Sequence, residues 1–283
     1  MLKAWLAWAY GVSRLAGGIG LLALAVSMPA WSAQTVRVGV YENSPKIGLS
    51  GTGQPEGFFV DLIEAIAQRE QWQIEYVRGD WNEGLQRLAA GEIDLMPDVA
   101  LTGERQRLYN FHREPALSSW AQVYARRGSG IRALPDLDGR RVAVLQGSIQ
   151  EAQFQSLAQS FALRVELVPH KDFAQAFAAV KIGSADAVVT NRFFGVKHAA
   201  SFNLEDTAIV FAPSTLFFAA PRRGNPATLA AIDRHLQAFK QDPSSPYYRS
   251  LKRWTIDEIQ PAIPSWLLYV GLGFVALMLA AGV

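Results

Sequence analysis

Few side chains in this sequence are of a type and spacing that could do chemistry. Asp98 and Glu42 could each serve as an acid or base, but no nucleophile–base pair accompanies them. Gly147-Ser148 follows a strand-like run and opens a helix. Free N–H groups and the helix dipole favour an anion at such a place, although Ser148 reads equally well as a plain N-cap. His112, His170, His198 and His235 lack the spacing of metal ligands, so no metal is expected and no cofactor is implied. There is no cysteine, which excludes disulfides, a thiolate nucleophile, Cys-ligated zinc or iron–sulfur, and a lipid-modified N-terminal Cys.

Half of the 283 residues are hydrophobic and only 18% are charged, and much of the apolar excess sits at the two ends. Lys3 and Arg14 are the only charges before residue 34 and none follow residue 264, so the middle carries 25 basic residues against 25 acidic. A chain that neutralises phosphates would show a basic excess or run, so nucleic acid is excluded as a partner. Residues 1–33 read as a secretory signal peptide, with a positive start, an apolar stretch from Leu15 to Met28 and small residues around Ala30–Ala33. Cleavage could fall after Ser32 or Ala33, and an uncleaved anchor is the rival reading. Residues 265–283 are uncharged and, at about 1.5 Å per residue, long enough to cross a hydrocarbon core. Trp266 and Tyr269 stand where an interfacial aromatic belt would be. They are expected to form a transmembrane helix that holds the domain at the inner membrane, facing the periplasm.

Between the ends, residues 34–264 alternate strands and helices, the pattern of an α/β protein. Thr35–Val40 alternates strictly, and a Gly- and Pro-rich stretch from Glu42 to Gly57 follows. Phe59, Leu62, Ile63 and Ile66 then mark one apolar helix face. Strands are expected at Gln73–Val77 and Ile93–Met96, with a helix at Asn82–Ala90. From Arg141 the rhythm restarts: strands at Arg141–Leu145, Arg164–Val168 and Ala185–Thr190 alternate with helices at Ser148–Gln159, Phe173–Lys181 and Arg192–Ala200. Two further strands (Ala208–Phe211 and Thr215–Ala220) and a helix (Ala227–Lys240) complete the run. Two α/β units joined near Ser118–Arg127 predict two lobes with a cleft between them. Lobe 1 takes about 34–118 and 208–264, and lobe 2 about 119–207.

VRVGVYENSP, GFFVDLIEAIA, GEIDLMPDVALTGERQRLYNFHREP, LDGRRVAVLQGSIQE and ADAVVTNRFF, in this order, resemble the bacterial extracellular solute-binding proteins of family 3. The likeness covers roughly residues 35–255. It implies a two-lobed periplasmic-binding-protein type II fold, a Venus flytrap that buries a small polar ligand in its cleft. It also implies that Arg105, in Thr102-Gly103-Glu104-Arg105, forms a bidentate pair with the ligand's carboxylate, the task a guanidinium fork suits best. Taken alone, Arg105 reads as a surface helix arginine. The resemblance places Tyr41, Phe58 and Trp81 where aromatics cover the ligand's apolar part, and each also reads as core. Two positions depart from the family. Asn191 stands where an Asp usually accepts the ligand's ammonium, and Asp98-Val99-Ala100 replaces a Gly-Met-Thr. An ordinary α-amino acid is thereby put in doubt.

Three functions compete. A membrane sensor comes first, its closure passed through residues 265–283 to a cytoplasmic kinase or cyclase module. The substrate-binding component of an amino-acid ABC transporter comes second, and a dehydratase-like enzyme on the same fold third. The ligand is an amino acid or organic acid carrying a carboxylate.

Overall fold

The computed structural model describes residues 34–256. The expected signal peptide (1–33) and transmembrane helix (265–283) lie outside them. Among the described residues no helix is long and apolar enough to cross a membrane.

The chain opens with β1 (Thr35–Val40), a short hairpin of β2 (Gly48–Leu49) and β3 (Pro55–Glu56), then α1 (Phe58–Glu70). β4 (Gln73–Arg78) pairs with β1 in parallel, and α2 (Trp81–Ala90) starts on a reciprocal cap in which Asp80 and Glu83 each accept the other's backbone N–H. β5 (Met96–Ala100), α3 (Gly103–Leu108) and β6 (Tyr109–Phe111) lead into the long β7 (Leu117–Arg126). The second unit repeats the alternation with β8 (Arg141–Leu145), α4 (Ile149–Ser160), β9 (Glu166–His170), α5 (Phe173–Ile182), β10 (Ala187–Asn191) and α6 (Arg192–His198). β11 (Leu204–Pro221), α7 (Pro226–Gln241) and α8 (Pro246–Leu251) return to the first.

The main sheet runs β5-β11-β7-β10-β8-β9, with β6 also on β11. β7 and β11 pair antiparallel along most of their length, so they serve both units. One core gathers α1, α7 and the ends of β7 and β11 around Phe58, Phe59, Phe218 and Phe239. Another gathers β8, β10 and α4 around Val142, Val189 and Phe154. A third is continuous from Tyr41, Trp81 and Met96 to Leu145, Phe173 and Val188, joining the two units.

Two expectations are corrected. The third strand is Met96–Ala100, not Ile93–Met96: Ile93 is buried by packing in a turn, and Leu95 makes only a lone bridge to Val38. Ala208–Phe211 and Thr215–Ala220 are one strand, β11. Its register shifts on either side of Phe211, where Ala212 takes a positive φ of 49° and Pro213 can do without a ladder partner.

The two units carry the same clamp. Arg37 donates through its backbone N and Nε to Asp94, and through Nη2 to the Gly91 carbonyl. Arg141 does the same to Asp186 and Gly183. Each clamp ties a strand to the helix end before the next strand. These pairs are partly exposed and screened by solvent, so they act mainly on register.

His112 is buried where β6 meets α7. Its Nε2 accepts the Phe218 N–H at 2.8 Å, which puts the ring proton on Nδ1, 3.6 Å from Asp233. Burial pushes its pKa down to about 4, against the pull of Asp233. The folded state therefore keeps a neutral ring that the unfolded chain would protonate below its ordinary value of about 6.5. Stability should be full above that value, fall as the pH drops towards 4, and level off below it. Burial also lowers His170 and His198, which add to the same limb. Urea midpoints between pH 7 and 4 should fall less steeply for His112→Asn than for wild type; an unchanged slope would refute the assignment.

Candidate functional site

The site begins with a charge that the fold has buried. Asp98, in the middle of β5, has a fully buried side chain and a positive φ of 63°. That conformation is uncommon for a residue with a Cβ, though Asp tolerates it better than most. Three donors hold it there. Lys46 Nζ donates to Oδ1 at 2.6 Å, while Tyr41 Oη and Asn43 Nδ2 donate to Oδ2 at 2.6 and 2.8 Å.

Lys46 lies in the loop after β1, and its side chain is 3% exposed. Helix α1 anchors this loop, because Phe58 and Phe59 donate their N–H groups to the carbonyls of Pro45 and Lys46. The approach is close: a Cβ at Gly57, which has φ 121°, would meet the Lys46 carbonyl carbon at 2.8 Å. Burial pushes the Lys46 ammonium below its ordinary pKa while Asp98 pulls it back up. Burial and the neighbouring Asp98 push the Tyr41 phenol well up, so it stays a donor.

The network crosses to the second unit in a forced order. A carboxylate only accepts, so Asn43 must turn its amide nitrogen to Asp98 and its oxygen outward. Asn191 Nδ2 donates to that oxygen at 2.9 Å, and Asn191 Oδ1 accepts the Phe194 N–H that starts α6. An Asp at 191 would set acceptor against acceptor. The departure from the family at 191 is thus tied to the one at 98.

Arg105 enters from α3. Thr102 caps that helix by accepting the Arg105 N–H at 3.1 Å, which aims the guanidinium inward. Arg105 is 9% exposed. Its Nη1 reaches the Ala100 carbonyl and its Nη2 the Gly147 carbonyl, both at 3.3 Å, and it lies 5.3 Å from the centre of the Trp81 ring. Trp81 also donates to the Gly147 carbonyl at 3.2 Å and stacks tilted on Tyr41 at 5.0 Å. Among the described residues no carboxylate pairs with Arg105. Burial lowers its pKa, but a guanidinium stays charged.

Tyr41, Asn43, Lys46, Trp81, Asp98, Arg105 and Ser148 line one cavity of about 20 Å³, room for a single water. A groove of about 390 Å³, lined by Thr102, Arg105, Gly147 and Ser148, continues it towards solvent. A hollow of about 760 Å³ between α1 and α8 is larger but shares none of these groups.

Phe58 and Glu42 sit away from the cavity, and Ser148 lines it with its hydroxyl already engaged. Phe58 is fully buried against Phe59 and Tyr247 in the first core and does not reach the cavity. Ser148 lines the cavity, but its hydroxyl caps α4 by accepting the Glu151 N–H, and Glu151 in turn accepts the Gly147 N–H at 2.6 Å. The chain's own carboxylate therefore already occupies that helix start. Glu42 is exposed and accepts the Leu49 N–H, away from the cavity. Lys46 and Asn43 were missed by sequence reasoning; the available signal was an Asp inside a buried strand, which must find a counter-charge.

The family described as bacterial extracellular solute-binding proteins, family 3, matches residues 36–255. A putative amino-acid ABC transporter-binding protein of Vibrio harveyi is 32% identical over 136 residues, 44% of this chain and 53% of that one. The chain spans about half the length of the curated relatives it matches. The structure of an ancestral arginine-binding protein bound to arginine is 26% identical with a TM-score of 0.70, over 78% of this chain and 98% of that one. A histidine kinase sensor domain, 24% identical, shares the fold with a TM-score of 0.70 over 79% of this chain and 96% of that one.

Removing one partner of a buried, hydrogen-bonded ion pair strands the other. Lys46→Met should therefore cost about 3–5 kcal/mol in urea unfolding. Adding Asp98→Asn should restore most of it. Simple additivity of the two changes would show that they do not act as a pair.

Proposed function

The chain belongs to the bacterial extracellular solute-binding proteins, family 3, and from that membership we propose its function. It holds a small polar solute bearing a carboxylate between its two lobes outside the cytoplasm, and closes on it. The observation that carries this reading is Arg105. A buried cation on one lobe, with only two long carbonyl contacts, one of them to Gly147 on the other lobe, gains most from an anion that enters between them. Trp81 and Tyr41 supply an aromatic wall. The lobes meet across β7 and β11, which are shared and can bend as a hinge.

Delivery of the solute to an ABC transporter is the reading favoured by the transporter-binding relative of Vibrio harveyi. The sequence alone ranks a membrane sensor first, and one observation still supports that second reading: the uncharged run 265–283. For the dehydratase-like alternative, the one carboxylate lining the cavity among the described residues, Asp98, is engaged by Lys46, Tyr41 and Asn43 and is not free to act as an acid or base.

A thermal-shift screen of amino acids and organic acids tests the binding site. Any solute that raises the melting temperature of wild type should fail to do so for Arg105→Ala. Equal stabilisation of both would remove Arg105 from the site. The two roles separate on fractionation. A sensor remains in the membrane fraction and is released when residues 265–283 are deleted, whereas a released binding protein is soluble with or without them.

A further inference from the structure

The cavity has one carboxylate and two cations. Among the described residues Asp98 is the only acidic side chain lining it, against Lys46 and Arg105. In such a cleft the carboxylate is where a solute's ammonium would go. Here that place is taken. Lys46 Nζ stands 2.6 Å from Oδ1, and Oδ2 already accepts from Tyr41 and Asn43. The Lys46 loop, Tyr41, Asn43 and Asp98 all belong to the same lobe, with the loop fastened to α1 through the Pro45 and Lys46 carbonyls, so opening the cleft does not separate the pair.

The other candidate acceptor is also committed. Asn191 Oδ1 takes the Phe194 N–H, and its amide nitrogen points at Asn43. The Gln150 amide, which also lines the cavity, is neutral, and Glu104 lines only the outer groove. A solute ammonium brought to Asp98 would meet an ammonium, a guanidinium and a carboxylate already taken by three donors. A solute oxygen meets the opposite. Arg105 makes only two bonds of 3.3 Å with its five donors, and Lys46 makes a single hydrogen bond with its three among the described residues.

We propose that Lys46 is a built-in cation that fills the ammonium position of the cleft, so that the solute is an organic acid with an oxygen, and no amine, beside its carboxylate. This rests on the solute-binding reading and narrows it. The carboxylate goes to Arg105 and the neighbouring hydroxyl or carbonyl oxygen to Lys46, whose charge Asp98 holds in place.

The test is a thermal-shift titration of the full chain with four matched pairs: aspartate and malate, glutamate and 2-oxoglutarate, alanine and lactate, phenylalanine and phenyllactate. Wild type should bind the oxygen member of at least one pair, and bind its amino partner at least about tenfold more weakly, the cost of burying an unpaired ammonium. Lys46→Met should lose that preference or invert it, because Asp98 is then free to accept an ammonium. If wild type prefers the amino member, Lys46 is not the specificity device, while solute binding stands. If neither member of any pair stabilises wild type, both readings fall. Should Lys46→Met not fold, the wild-type comparison decides alone.

Discussion

Burying Asp98 in the middle of a strand is the constraint from which the rest of the site follows. A carboxylate cut off from water must be paired and hydrogen-bonded, or the strand cannot stay where it is. The chain meets this need with a lysine from a distant loop, a phenol and an amide. Each donor then fixes something else. The loop with Lys46 is pressed so closely on α1 that residue 57 has to be glycine. Tyr41 is turned so that its ring backs Trp81. Asn43 is left with its oxygen outward, and this determines what residue 191 can be.

The contacts that cross between the lobes at the cavity are different in kind. They are neutral or half-neutral hydrogen bonds of ordinary or long length: Arg105 and Trp81 to the Gly147 carbonyl, and Asn191 to Asn43. Each is worth on the order of 1 kcal/mol, because water can replace most of it. The charged pair, which would be costly to break, lies within one lobe. The division suits the opening and closing proposed above: strong electrostatics hold the geometry around Asp98, and weak bonds cross to the second unit.

Helix starts that look like anion sites are here used up internally. Ser148 and Glu151 satisfy the first turn of α4, Asp80 and Glu83 that of α2, and Thr102 that of α3. Trp81 and Arg105, carried by two of these helices, lie 5.3 Å apart from guanidinium carbon to ring centre. Among the described residues Arg105 is the cavity-lining charge without a carboxylate partner.

The alternation of strands and helices, the restart at Arg141 and the apolar face of α1 were legible in the sequence, since they depend on local periodicity and turn residues. The resemblance marked Arg105, Tyr41 and Trp81 as candidates and the departure from the family marked Asp98; the fold brings the four to one cavity. Phe58 was open in the sequence because an aromatic at a helix start faces core or cleft according to the helix's roll, which only packing sets. Ile93–Met96 was misplaced because apolar content marks burial and does not distinguish a strand from a turn beneath it. The partner of Asp98 could not be read at all. Lys46 and Asp98 are 52 residues apart and Asn43 and Asn191 are 148 apart. Such pairs exist only once the chain has folded, when burial makes an unremarkable loop lysine the counter-charge of Asp98.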